Sequence, residues 1–305
     1  MSDKRDDDLR ERILKLKKES NAVILSHNYQ RGEVQDIADF VGDSLELSQK
    51  AAGTDADVIV FCGVHFMAET AAILNPGKTV LLPDAGAGCP MANMITAEQL
   101  RQQKQKMPKA TVVTYINSTA AVKAESDYCC TSANGVKIVG SIANPEIIFV
   151  PDQYLGDFIA RRTGKTLTLW PGYCPTHVRI LPEDIVNRKE EHPKAKVVVH
   201  PECRTDVIAL ADEALSTSGM IRYAARPDVK ELIVGTEVEI LHRLNKENPG
   251  KQFYAASKKA ICPNMKKITL DKILESLETM APAITVPEDI RIRAKAAVDR
   301  MLEMR

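Results

Sequence analysis

The segment "PGYCPTHV", Pro171–Val178, places a cysteine before a proline directly after the apolar run "TLTLW". The same Cys-Pro pair occurs twice more, at Cys89 in "GAGCPMA" and at Cys262 in "KAICPNM". The three cysteines are 85 and 88 residues apart, and each follows a short apolar or aromatic run. A period of this length is too long for a solenoid unit and is typical of a repeated small domain.

Three further features repeat with nearly the same period, in steps of 88 and then 85 residues. They are the polar ends of valine-rich runs (His27, Tyr115, His200), a set of hydroxyl residues (Ser44, Ser132, Thr217) and the middles of apolar runs (Val60, Ile148, Ile233). Four features with a shared period indicate three copies of one unit.

Short apolar runs alternate with amphipathic segments in each copy. Each copy is therefore predicted to contain three strands, each followed by a helix. This alternation predicts an α/β fold with parallel sheets and right-handed crossovers. We therefore expect three pseudo-symmetric, three-layer α/β/α domains with short parallel sheets around a central active site. Segments 37–52 and 97–107 are predicted covering helices. Segment 135–142 has strand propensity, but the repeat aligns it with a helix, and we predict a helix.

The repeat also predicts the domain limits. The first unit covers residues 1–88 together with C-terminal helices at about 268–305, the second covers 89–173, and the third covers 174–267. The last segment begins with Pro287 followed by two acidic residues, which is typical of a helix start. We expect this helix to pack on the first unit.

Composition limits the class of protein. The 305 residues are 44% hydrophobic, and 41 basic residues balance 41 acidic ones. A net charge of zero argues against nucleic-acid binding by bulk electrostatics, and no apolar run reaches the ~18 residues of a membrane span. The charged N-terminus lacks a signal-peptide core, which predicts a cytoplasmic protein without a membrane partner. Seven cysteines in that compartment are not expected to form disulfides.

The three Cys-Pro sites bring three equivalent thiolates towards the centre. Two kinds of site remain open: a [4Fe–4S] cluster with one iron free of cysteine, or Zn²⁺ bound by three cysteines with His177 as a fourth ligand. Plain burial would explain one such cysteine, but three equivalent loops favour a metal. The other four cysteines do not follow the repeat, and we expect none of them to be a ligand: Cys62, Cys129, Cys130 and Cys203.

Two polar sets follow the strands. Ser44, Ser132 and Thr217 lie near predicted helix starts, where hydroxyls and free N–H groups bind carboxylate or phosphate, although plain N-capping is the alternative. A second set lies at the ends of the first strands and is suited to proton transfer, with hydrogen bonding to loops as the alternative: His27, Tyr29, Tyr115, Asn117, His200 and Glu202.

Ten motifs in order then identify a resemblance that covers nearly the whole chain: "SHNYQ", "GDSLELS", "CGVHFMAET", "PDAGAGCPMA", "TYINST", "CTSANG", "PGYCPTHV", "HPEC", "STSGM" and "ICPNM". The chain resembles the bacterial quinolinate synthase family of NAD biosynthesis. The resemblance implies condensation of iminoaspartate with dihydroxyacetone phosphate to quinolinate, with loss of phosphate and water. It also favours the cluster over zinc and implies functional coupling to an aspartate-oxidising enzyme.

The resemblance assigns a role to each candidate residue. Cys89, Cys174 and Cys262 are implied to hold the [4Fe–4S] cluster, whose open iron is a Lewis acid. Tyr29, Tyr115, Glu202 and His200 are the implied catalytic residues. The implied substrate-binding residues are His27, Ser44, Asn117, Ser132, Thr217 and His177. A zinc hydrolase or lyase and a non-enzymatic iron–sulfur sensor remain as the competing functions.

Overall fold

The computed structural model describes residues 2–304 and contains three parallel four-stranded sheets flanked by helices. The first sheet consists of β1 (Ala22–His27), β2 (Phe40–Gly42), β3 (Val58–Cys62) and β4 (Thr79–Leu81). The second consists of β5 (Thr111–Tyr115), β6 (Tyr128–Cys130), β7 (Ile147–Val150) and β8 (Thr168–Leu169). The third consists of β9 (Lys196–Val199), β10 (Glu213–Ala214), β11 (Glu231–Gly235) and β12 (Gln252–Ala255).

All three sheets have the same strand order. The orders are β2-β1-β3-β4, β6-β5-β7-β8 and β10-β9-β11-β12, and all the pairings within them are parallel. This confirms the predicted α/β fold class of three similar units. Each sheet lies inside one of the three predicted segments, while the residue limits of the units stay a prediction. The inner strands form because their β-branched runs are buried on both faces, as in β3, where all five residues are buried.

Helices cover the sheets and connect successive strands. Those of the first two units are α1 (Ser2–Glu19), α2 (Gly32–Ile37), α3 (Ser44–Ala52), α4 (His65–Leu74), α5 (Ala97–Lys106), α6 (Ala120–Lys123), α7 (Gly135–Ser141) and α8 (Gln153–Thr163). The remaining ones are α9 (Pro182–Glu191), α10 (Thr205–Ile208), α11 (Thr217–Ala224), α12 (Ile240–Glu247), α13 (Leu270–Thr279) and α14 (Glu288–Glu303). No helix within residues 2–304 has the length and apolar character that a bilayer crossing requires.

Two predicted helices are confirmed and one is wrong. Segment 97–107 forms α5, and segment 135–142 forms α7 despite its strand propensity. Segment 37–52 is not one helix, because strand β2 separates α2 from α3. Asp43 starts α3 afresh by accepting hydrogen bonds from the backbone N–H groups of Leu45 and Glu46, both at 3.0 Å. Each unit therefore has four strands rather than the predicted three.

The position of the last helix also differs from expectation. Helix α14 contacts α4 of the first unit but lies mainly against α6 and β6 of the second. Its buried face is small and apolar, with Ala294, Ala297 and Val298 fully buried. Asn134 Nδ2 donates to the backbone oxygen of Met301 at 3.1 Å and fixes this end of the helix. Helix α14 thus joins the first two units, whereas α13 packs on α1 of the first.

Candidate active site

One cavity of about 220 Å³ lies where strands of all three sheets end. Parallel strands present their carboxyl ends at one edge of the sheet, which is where open α/β folds bind ligands. The cavity is lined by all thirteen residues selected from the sequence: His27, Tyr29, Ser44, Cys89, Tyr115, Asn117, Ser132, Cys174, His177, His200, Glu202, Thr217 and Cys262. The structure therefore brings every candidate residue together.

The three cysteine loops share one local structure. Each Cys-Pro pair is followed by a short 3₁₀ turn, at Met91–Asn93, His177–Arg179 and Met265–Lys267. All three thiols are free and partly buried. Backbone N–H groups two and three residues further on donate to each sulfur: those of Met91 and Ala92 to Cys89, of Thr176 and His177 to Cys174, and of Asn264 and Met265 to Cys262.

Burial opposes ionisation of these thiols without a metal. It raises the pKa of Cys89 to about 12 and also raises the pKa values of Cys174 and Cys262. The backbone N–H donors act in the opposite direction, because they stabilise negative charge on sulfur. The four cysteines outside the repeat are fully buried and do not line the cavity: Cys62, Cys129, Cys130 and Cys203.

A buried carboxylate connects the polar side of the cavity. The hydroxyl of Tyr115 donates a short hydrogen bond to Glu202 Oε1, and His177 Nδ1 lies 2.7 Å from Glu202 Oε2. The ring of His177 stacks on that of His200 with centroids 4.7 Å apart. Burial works to raise the pKa of Glu202, but His177, His200 and the Tyr115 hydroxyl outweigh it and hold the pKa below its usual range. Glu202 is therefore an ionised acceptor.

Four further ionisable groups of this side are neutral. Burial, followed by the charge of Glu202, raises the pKa values of Tyr29 and Tyr115 well above the usual phenol value. Burial lowers the pKa values of His27 and His200 to about 3. Two neutral phenols and two neutral imidazoles thus surround one carboxylate, a set that can exchange protons with a bound substrate.

The three hydroxyl residues do not cap helices. Asp43 caps α3 and Ser216 caps α11, which leaves Ser44 and Thr217 as the first helical residues. Ser132 precedes α7, and its hydroxyl lies 3.1 Å from His200 Nε2. Because none of the three caps a helix, the N-capping alternative does not explain their recurrence. Thr217 Oγ1 accepts a hydrogen bond from Asn28 Nδ2 at 2.8 Å.

The sequence analysis missed two carboxylates that follow the third strand of a sheet. Glu237 is fully buried after β11, and its Oε1 accepts from the backbone N–H of Cys262 at 3.1 Å. It also pairs with Lys266 Nζ at 2.9 Å. Asp152 is fully buried after β7, and burial raises the pKa of its carboxyl group well above the usual value, although the backbone N–H of Cys174 acts in the opposite direction. These two residues are 85 apart, so the repeat period contained the signal.

Within residues 2–304, one group of three side chains brings its ligand atoms all within 4.8 Å of one another, and it consists of Cys174, His177 and Glu202. The three cysteine sulfurs do not form so tight a group. They line one cavity but are spread more widely than ligands of a single small ion.

Comparison with known proteins decides the family. Residues 11–303 match the family model described as "Quinolinate synthetase A protein". The chain belongs to the quinolinate synthase family. Similar proteins include the quinolinate synthase of Dehalococcoides mccartyi (strain CBDB1), 62% identical over 96% of this chain and 97% of that protein. Quinolinate synthase 1 of Methanosarcina acetivorans is 57% identical over 98% of both chains. Quinolinate synthase of Geobacter metallireducens is 56% identical over 97% of both.

Membership confirms the resemblance found in the sequence motifs. It also confirms that the protein is an enzyme, a quinolinate synthase of NAD biosynthesis. The individual roles of the thirteen cavity residues stay predictions.

Proposed function

We propose that this enzyme condenses iminoaspartate with dihydroxyacetone phosphate in the central cavity and releases quinolinate, phosphate and water. The observation that carries the proposal is the joining of two sets of groups in one cavity: three equivalent cysteine loops and a connected set of acid–base side chains. Ring formation with two eliminations needs repeated proton transfers at one bound substrate, which such a connected set can supply.

We further propose that Cys89, Cys174 and Cys262 hold a [4Fe–4S] cluster. The donor set fits this group, because three thiols from three equivalent loops face one cavity and each receives backbone N–H donors. Thiolates with such donors are the usual ligands of iron–sulfur clusters. When bound, the cluster supplies an iron without a cysteine ligand that acts as a Lewis acid on a substrate oxygen or nitrogen.

Zinc is the second candidate, because Cys174, His177 and Glu202 lie close enough to share one ion. The distance between two of these groups does not fit shared ligation. His177 Nδ1 and Glu202 Oε2 are 2.7 Å apart, whereas two ligands of one tetrahedral zinc are separated by about 3.3 Å. The Cys₃His site needs three sulfurs around one ion, and the wider spread of the sulfurs argues against it.

Substrate anions are proposed to bind at the helix starts that line the cavity. Ser44 and Thr217 stand at the N-termini of α3 and α11, where N–H groups and the helix dipole favour carboxylate or phosphate. Asn117 Oδ1 is buried without a hydrogen-bond partner in residues 2–304, so a ligand can satisfy it. His27 and His200 are neutral and can hydrogen-bond a substrate without adding charge.

The proposed reaction also implies a partner enzyme and a cellular compartment. Iminoaspartate is a reactive imine, so we propose functional coupling to an enzyme that oxidises aspartate. We propose a cytoplasmic site of action, in keeping with seven cysteines that are all free.

The test is an anaerobic assay with dihydroxyacetone phosphate and iminoaspartate generated in the mixture by an aspartate-oxidising enzyme. We expect quinolinate and phosphate in equal amounts, with turnover that depends on both substrates. Phosphate release without quinolinate, or binding without any turnover, would exclude the proposed reaction; the latter result would favour the sensor function.

A further inference from the structure

Arg179 is the one lysine or arginine that lines the cavity within residues 2–304. The same lining contains three carboxyl groups, those of Asp43, Glu202 and Glu237. Dihydroxyacetone phosphate and iminoaspartate are both anions, so a lining rich in carboxyl groups disfavours them unless a cation compensates. Arg179 is therefore the residue that can give the cavity an attractive charge for its substrates.

The side chain of Arg179 is not bound by the rest of the protein. The residue ends the 3₁₀ turn that begins at His177, and it is exposed to solvent although it lines the cavity. Among residues 2–304 its guanidinium has no hydrogen-bond, ion-pair or ring partner. The backbone of the turn is fixed, because the N–H of Ile180 donates to the His177 oxygen at 3.1 Å. A free guanidinium on a fixed backbone at the opening of the cavity is available to a ligand.

The equivalent positions of the other two cysteine loops are bound to neighbouring segments. They lie, like Arg179, five residues after the cysteine, at Met94 and Lys267. Met94 Sδ accepts a hydrogen bond from the backbone N–H of Tyr173 at 3.3 Å, and Lys267 Nζ donates to the backbone oxygen of Gly86 at 2.6 Å. Arg179 makes no contact of this kind, so support of its cysteine loop does not explain this side chain.

We propose that Arg179 binds the phosphate group of dihydroxyacetone phosphate at the opening of the cavity. The proposal rests on the proposed function, because that reaction takes in a phosphate group and releases it. A guanidinium presents parallel N–H donors that match two phosphate oxygens, and a phosphate group carries more negative charge near pH 7 than a carboxylate does. An exposed position also lets the released phosphate pass directly to solvent.

The direct test measures the binding of inorganic phosphate and of quinolinate to the anaerobically purified full-length protein by titration calorimetry. We expect Arg179→Gln to bind phosphate at least about tenfold more weakly than the parent, because a charge-assisted hydrogen-bonded pair is lost. Quinolinate has two carboxylates and no phosphate, so its affinity should stay within about threefold of the parent value. Arg179→Lys keeps the charge without the two parallel donors, and its phosphate affinity should be intermediate.

Arg204→Gln is the matched control. Arg204 is an exposed arginine at the start of α10 that pairs with Asp206 and does not line the cavity. This variant should bind phosphate as the parent does. In the quinolinate assay, Arg179→Gln should raise the KM for dihydroxyacetone phosphate at least about tenfold and leave kcat and the iron content unchanged. Arg204→Gln should change none of the three.

Four results would overturn the proposal: no phosphate binding by the parent, parent-like phosphate affinity in Arg179→Gln, an equal loss of phosphate and quinolinate affinity, or loss of iron from this variant. The third result would make Arg179 a general anion contact, and the fourth would make it a support of the Cys174 loop. A parent protein that binds phosphate but makes no quinolinate would refute the proposed function, while the titrations would still decide whether Arg179 binds phosphate.

Discussion

The cavity has two sides that are built in different ways. The sulfur side consists of the loops at Cys89, Cys174 and Cys262, and it repeats the same Cys-Pro turn and the same backbone N–H donors in all three loops. The polar side breaks the repeat. One set of equivalent positions, at the strand ends, holds His27, Tyr115 and His200. A second set, two residues further along the chain, holds Tyr29, Asn117 and Glu202.

The contacts differ in the same way. Each sulfur depends on the backbone of its own loop, whereas the polar side chains bond to one another across units. Tyr115 of the second unit meets Glu202 of the third, and Tyr29 of the first meets Thr236 of the third. Retained symmetry thus provides three similar thiol sites, and divergence at the two sets of equivalent positions provides a varied set of polar side chains.

The largest expected effect comes from the sulfur side. Changing Cys89, Cys174 or Cys262 to Ser should abolish both cluster retention and activity, because one of three protein ligands is lost. Changing Cys62 or Cys130 to Ala should leave both intact, since these fully buried thiols lie outside the cavity. Iron and sulfide analysis with the quinolinate assay checks this, and full activity in Cys174→Ser would refute the ligand assignment.

A substitution on the polar side should separate cluster binding from turnover. Tyr29→Phe removes one hydroxyl from a buried side chain and leaves the cysteine loops untouched. We expect normal iron and sulfide content together with a loss of turnover of about 100-fold or more. If turnover survives in this variant, Tyr29 is not a proton-transfer group, and the division of the cavity into two sides is wrong.

Glu237 connects the two sides, and its variants should have intermediate effects. Its carboxylate holds the Cys262 backbone and pairs with Lys266, whose side chain is 13% exposed. Glu237→Ala leaves that cation unpaired, which should cost about 3 kcal/mol of unfolding free energy and speed iron release to a chelator. Glu237→Gln keeps an acceptor for the Cys262 N–H and should release iron more slowly than Glu237→Ala.

The matched control is Glu247→Gln, an exposed carboxylate on α12 that pairs with Arg243. It should release iron at the parent rate. Equal iron release from Glu237→Ala and from the parent would show that Glu237 does not support the Cys262 loop.

The smallest effect is a pH dependence that arises from the polar side alone. His27 and His200 have pKa values of about 3 in the folded protein and about 6.5 in the unfolded chain, so the unfolded chain binds more protons between these values. Stability is complete above about pH 6.5 and falls as the pH drops towards 3. Each histidine contributes a slope of up to about 1.4 kcal/mol per pH unit.

Denaturant unfolding of cluster-free protein at pH 7 and pH 5 measures that slope. His200→Gln should flatten it, because glutamine does not titrate. A slope identical to that of the parent would mean that His200 is protonated in the folded state.

The sequence reveals the repeated features, but it reveals few of the contacts between residues of different units. The period alone located the cysteine loops, the strand ends and the true helix at 135–142. It did not show β2, because Phe40 and Val41 fit the spacing of a helix as well as that of a strand. The docking of α14 on the second unit was also missed, since an amphipathic pattern does not say which surface it covers.

The same limit applies to the site. Thr236 and Glu237 look like ordinary residues after a strand, and their importance depends on partners contributed by other segments. Tyr29 lies 207 positions from Thr236, and Cys262 lies 25 from Glu237. Asp152 and Glu237 were accessible in principle, because they share the repeat period. Valine at the equivalent position 64 of the first unit hid the pattern.

The most direct test of the account is the iron, sulfide and zinc content of the chain after strictly anaerobic purification. We predict roughly four irons with matching sulfide, as expected for one [4Fe–4S] cluster held by Cys89, Cys174 and Cys262. About one zinc without sulfide would contradict the account and assign the cavity to the tighter group of Cys174, His177 and Glu202.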